Sequence, residues 1–68
     1  MSSTVWKVRD LRARLRELGC TLARTRGSHE TWKLPTGESL PPIIASHGND
    51  EIYCNGLVRV LNARGIQL

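Results

Sequence analysis

Residues 20–34 read CTLARTRGSHETWKL. Two runs, CTLARTR and HETWKL, carry the threonine, leucine and tryptophan content that favours extended backbone. Between them stands Gly27-Ser28, a two-residue connection whose first position calls for a positive φ. The stretch therefore predicts an antiparallel hairpin, with His29 opening its second strand. The two-residue period of a strand then sends Trp32 and Leu34 to one face and His29, Thr31 and Lys33 to the other.

Working outward, the N-terminal side is helical. Val8, Leu11, Leu15 and Leu18 recur at helical spacing within Lys7–Leu18, with arginines between them, and Gly19 supplies the left-handed stop. The opening MSSTV reads as a short polar lead. On the C-terminal side LPTGE signals a second turn. A third strand is expected at Glu38–Leu40, kept short because Pro41-Pro42 cannot donate to a ladder. IIASHGND, residues 43–50, reads as a loop, and either Asn49 or Asn55 is a candidate cap for the last helix. Leu57, Val58, Val60 and Leu61 form the stripe of that helix, which Gly65 closes. The expected class is α+β in one domain, 1–68, with the order α-β-β-β-α. Two helices would cover one face of a three-stranded antiparallel sheet, leaving the other face wet and bearing His29, Thr31 and Lys33.

A chain of 68 residues has room for one thin core and no deep multilayered cleft. Chemistry on so small a body sits on an open surface, which suits a polymeric substrate that brings its own binding energy. The net charge of +4 points to an anionic partner. That charge is uneven. Lys7, Arg9, Arg12, Arg14, Arg16, Arg24 and Arg26 face only Asp10 and Glu17 in residues 1–26, whereas the remainder is slightly acidic. No apolar run is long enough to cross a bilayer, and a soluble, cytoplasmic protein is expected. Cys20 and Cys54 lack the spacing of a disulfide framework or a paired metal motif. A zinc site drawn from both with His29 and His47 would have no paired spacing either, so idle thiols are expected, with no metal and no cofactor. Carboxylate pairs, phosphate-cradling glycine loops and Ser/His/Asp arrangements are not visible, which argues against those hydrolase chemistries.

RNA cleavage without a metal makes small demands on a protein, because the 2′-hydroxyl beside the scissile phosphate is the nucleophile. A proton carrier working near neutrality and cations for the phosphate oxygens suffice. His29 is the candidate proton carrier. Arg24, Arg26 and Lys33 are candidates for the phosphate, with Gly27 and Ser28 offering turn N–H groups and a hydroxyl. A histidine beside a turn is equally well a plain polar surface residue, so the residues leave two classes open: a nuclease, or a non-catalytic RNA-binding module in which the imidazole is idle. A DNA-binding protein led by the first helix fits less well, since helix–Gly–strand is not a helix-turn-helix. His47 is a candidate second acid. Trp6 and Trp32 could stack on bases, but Trp32 alternates with Leu34 as a core residue does and Trp6 suits a helix staple. Tyr53 is left without a role. Arg12, Arg14 and Arg16, on the outer side of the helix, suit phosphates or an acidic protein partner.

From Val8 to Ile66 the chain resembles the HicA toxins of bacterial type II toxin–antitoxin pairs. The resemblance is carried by the helix ending in Leu18-Gly19 and by Arg24-Thr25-Arg26-Gly27-Ser28-His29, which matches R-x-x-G-S-H. The stretch from Pro42 to His47 and the ending Arg64-Gly65-Ile66 extend it. It implies an mRNA-cleaving endoribonuclease with a single catalytic histidine, His29, and with the motif's glycine and serine at Gly27 and Ser28. It also implies independence of metal, a fold related to the double-stranded-RNA-binding domain, and a HicB antitoxin that covers the histidine.

Overall fold

The structure, a computed structural model, describes residues 5–44 and 49–68. In chain order its elements are β1 (Val5–Lys7), α1 (Val8–Glu17), β2 (Thr21–Arg26), β3 (His29–Lys33), β4 (Ile43–Ile44), β5 (Glu51–Tyr53) and α2 (Asn55–Ala63). The α-β-β-β-α order is present, extended by β1 and β5, which pair with each other as a small second sheet.

α1 forms where Val8, Leu11 and Leu15 share one face, and all three are fully buried. It stops at Gly19, where φ is +83°. There the Cys20 N–H reaches the Leu15 carbonyl at 2.9 Å and the Gly19 N–H reaches Arg16 at 3.0 Å. That paired closure satisfies carbonyls the helix leaves open. A Cβ on residue 19 would also stand 3.0 Å from the Pro35 ring. α2 ends in the same way, with Ile66 N–H on Leu61 and Gly65 N–H on Asn62. Arg64 at that end pairs with Glu38 in the turn after β3.

β2, β3 and β4 form an antiparallel sheet with β3 in the centre. Leu11 and Leu15 of α1, Trp32 of β3, Ile43 of β4 and Leu57, Val58 and Leu61 of α2 belong to one buried cluster. Both helices thus lie on the face that carries Trp32. Burying each such side chain contributes on the order of 2 kcal/mol. No helix among the described residues is long and apolar enough to cross a membrane.

Several local expectations need correction. The third strand is Ile43–Ile44 and not Glu38–Leu40. Ser39 makes only an isolated bridge to Lys33, while Leu40 turns into the core and donates its N–H to the Trp32 carbonyl at 2.8 Å. The proline pair cannot join a ladder, so pairing resumes beyond it, on two β-branched residues expected to be loop. Residues 5–7, at the junction of the polar lead and the first helix, pair with residues 51–53. α2 begins at Asn55 with Cys54 in the cap position and no side-chain cap, so neither asparagine caps it. His47 lies outside the described residues.

Candidate functional site

The hairpin register decides which side chains meet. Arg26 lies opposite His29, Thr25 opposite Glu30 and Arg24 opposite Thr31. A bulge then falls between Leu22 and Arg24, after which Leu22 lies opposite Trp32 and Thr21 opposite Lys33. Residues directly opposed across antiparallel strands share a face. Arg24, Arg26, His29, Thr31 and Lys33 therefore share one face, and Leu22, Thr25, Glu30 and Trp32 share the other. The bulge makes Leu22's placement possible. An unbroken register would set Ala23 across from Trp32 and turn Leu22 outward beside Lys33. The extra residue keeps Leu22 on Trp32's side, while both arginines, nearer the turn, are placed on the wet side by the turn register itself.

At the turn Gly27 has φ +59°, as the two-residue connection requires, and no atom lies within 4 Å of where its Cβ would be. Ser28 is half-buried beside it, while His29, Arg24, Arg26 and Lys33 are exposed. Arg26 is the nearest cross-strand cation to His29, about 5 Å between Cβ atoms by strand geometry. Lys33, four residues further along β3, is about 13 Å away, too far to act on the same group as His29. Across β4, Ile44 stands opposite His29 on the same open face and is 58% exposed, whereas Ile43, opposite Glu30, is buried.

The other face of β3 holds a charge that the residue pattern had not singled out. Glu30 is only 5% exposed. Arg12 of α1 grips both its carboxylate oxygens, Nε donating to Oε1 at 3.1 Å and the terminal nitrogen to Oε2. The Trp32 indole N–H donates to the same Oε1 at 3.2 Å. Arg12's hydrogen bond holds the Glu30 carboxyl below its ordinary range, against the opposing effect of burial, and the same bond raises the Arg12 pKa. The signal was legible. Glu30 has the parity of Trp32, so period two already placed a carboxylate on the core face, where it requires a partner.

Arg12 is therefore not a free cation for phosphate or for an acidic partner, contrary to expectation, and its neighbours on α1 are engaged too. Arg14 pairs with Glu17 at 3.2 Å and donates to the Gln67 carbonyl at 3.0 Å. Arg16 lies over the Trp32 ring, 5.5 Å from its centroid. Trp32 itself is a core residue, 1% exposed, and Trp6 packs half-buried against the core. Among the described residues no ion pair involves Arg24, Arg26 or Lys33. The open face of the hairpin keeps its positive charge.

Cys20 and Cys54 are buried thiols not joined in a disulfide, and burial pushes their pKa values up. They belong to the core cluster, whereas His29 points to the open face, so the structure does not gather these three. Among the described residues no group of three or more histidine, cysteine or acidic side chains is placed to hold a metal ion.

A family model described as HicA toxin of bacterial toxin-antitoxin matches residues 8–66, which span every element from α1 to α2. No curated protein and no solved structure matches the chain.

Proposed function

The chain belongs to the HicA toxin family of bacterial toxin–antitoxin pairs, and from that premise we propose that it is a metal-independent endoribonuclease that cleaves mRNA. A cognate antitoxin partner follows from the family. That partner is a HicB-like protein, which neutralises the toxin in the cytoplasm by covering the His29 face.

In this mechanism the ribose 2′-oxygen attacks the adjacent phosphorus and the P–O5′ bond breaks, leaving a 2′,3′-cyclic phosphate and a 5′-hydroxyl. His29 takes the 2′-hydroxyl proton and returns one to the departing 5′-oxygen, so no water or metal enters the balance. Proton transfer of this kind contributes roughly 10²- to 10⁴-fold in rate. Arg26, directly across from the imidazole, and Arg24, one row further along, stabilise the charge on the non-bridging oxygens. The N–H groups of Gly27 and Ser28 and the Ser28 hydroxyl hold a phosphate oxygen at the turn. Lys33 binds the backbone further along the strand.

One observation carries most of this reading. His29 shares the uncovered face with Arg24, Arg26 and Lys33, and the carboxylate beside it in sequence, Glu30, is on the opposite face, bound to Arg12. No acidic side chain among the paired residues of that sheet faces the histidine.

The test compares purified wild type with His29→Ala on RNA in the presence of EDTA. Wild type is expected to leave cyclic-phosphate ends, and the variant to leave the RNA intact. Equal cleavage by both removes the assignment, and cleavage only on adding a divalent cation removes the metal-independent mechanism. The exposed hairpin cations alone also suit a non-catalytic RNA-binding module. In that case His29→Ala leaves both RNA affinity and growth arrest unchanged.

A further inference from the structure

Beside the open face lies a groove of about 430 Å³ whose walls include Pro41, Pro42, Ile44, Ile52, Tyr53 and Leu57. Ile44 belongs to both regions: it lines the groove and stands across from His29 in the sheet. Tyr53 is 81% exposed, the most exposed of the large apolar side chains among the described residues, with Ile44 next at 58%. Neither core packing nor the hairpin chemistry accounts for an aromatic ring left in water.

We infer that this groove is a nucleobase subsite: the base of a nucleotide whose phosphate lies at His29 stacks on Tyr53 and packs against Ile44. The inference rests on the RNA-cleaving reading of the open face. Its support is the polarity of that face from edge to edge. β2 presents Arg24 and Arg26, β3 presents the imidazole, and β4 presents Ile44, behind which the groove opens. A nucleotide has the same order, an anionic phosphate, then a ribose with its 2′-hydroxyl, then a flat apolar-faced base. Glu51 also lines the groove and disfavours phosphate there, while a neutral base is accepted. Aromatic stacking is the usual means by which proteins hold unpaired bases, and it tolerates any base because each has a π-face.

The experiment measures binding of single-stranded 2′-fluoro RNA, which lacks the attacking hydroxyl and so reports affinity whether or not the protein is a nuclease. Tyr53→Ala is expected to weaken binding by roughly 5- to 100-fold. Tyr53→Phe, which keeps the ring, is expected to bind as wild type does. Thermal unfolding of both variants checks that the β1–β5 pairing survives. An oligonucleotide series with one abasic position moved along the chain should contain a member that weakens wild type by a similar factor and on which Tyr53→Ala causes no further loss. The subsite is overturned if Tyr53→Ala binds intact RNA as wild type does, or if its loss persists on every abasic member. Loss of antitoxin binding with RNA affinity unchanged overturns it too, since the groove would then serve the partner protein. Failure of the nuclease reading shows separately, as identical cleavage of unmodified RNA by wild type and His29→Ala.

Discussion

His29 and Glu30 are neighbours in the chain and live in different surroundings. Glu30 faces the helices, where a buried carboxylate is tolerated because Arg12 and the Trp32 indole satisfy its oxygens. His29 faces outward, with Arg26 across from it and no carboxylate on its side of the paired strands. The same contrast divides the arginines. Those of α1 are engaged with Glu30, Glu17 and the Trp32 ring, whereas those of β2 have no ion-pair partner among the described residues. A net positive charge alone would have credited both groups to the substrate. In a domain this small the helix arginines serve cohesion, whereas the two hairpin arginines stay without an ion-pair partner among the described residues.

The sharpest way to break that contrast is His29→Ala, expected to lower the cleavage rate by roughly 10²- to 10⁴-fold. Its unfolding midpoint should stay near that of wild type, because exposed substitutions rarely exceed about 0.5 kcal/mol. Trp32→Ala, three residues away on the covered face, should do the reverse. Loss of a fully buried tryptophan costs about 3–5 kcal/mol, a large share of the stability of a 68-residue chain. Thermal or urea unfolding reads it directly, and a fully folded Trp32→Ala would mean that the helices do not cover that face.

Arg12→Ala comes next. It strands the Glu30 carboxylate among apolar groups, and because Arg12 is itself partly exposed, the expected loss is about 2 kcal/mol, below the range for fully buried pairs. The same pair sets a pH dependence. Glu30's folded pKa lies below its unfolded value, so its stabilisation is present above about pH 4.3 and is lost as pH falls through the lower folded value. Acid titration of stability should therefore be shallower in Arg12→Ala and Glu30→Gln than in wild type. The smallest effects belong to Arg24→Gln and Arg26→Gln. Each should leave the fold intact and reduce the slope of log affinity against log salt for single-stranded RNA by about 0.7. Arg14→Gln should leave that slope unchanged, which tests whether α1 takes part.

The hairpin and its two faces were legible because they depend on local rules. Gly27-Ser28 names the turn, and alternation from His29 to Leu34 separates the wet residues from Trp32. The helix stops at Gly19 and Gly65 were equally plain. Even the inability of the proline pair to join a ladder could be read directly. The strand is nevertheless expected before that pair rather than after it, since nothing local says that two isoleucines will pair with His29 and Glu30. The roles of Arg12 and Arg16 escape the sequence for a related reason. A long cationic side chain on a helix looks solvated until the surface it reaches across is known.

On its own, then, the order of residues determined the periods: a helix with one apolar stripe, a hairpin with one wet face, and a second apolar helix. It also placed an imidazole and three cations at matching parity. Tertiary structure alone decided that β1 and β5 meet, that a bulge at Ala23 keeps Leu22 on Trp32's side, and that Arg12 closes on Glu30. Periodicity is set within a few residues by backbone geometry. Pairing across dozens of residues depends on which contacts offset the entropy of closing the loop between them, and no short window of sequence contains both ends.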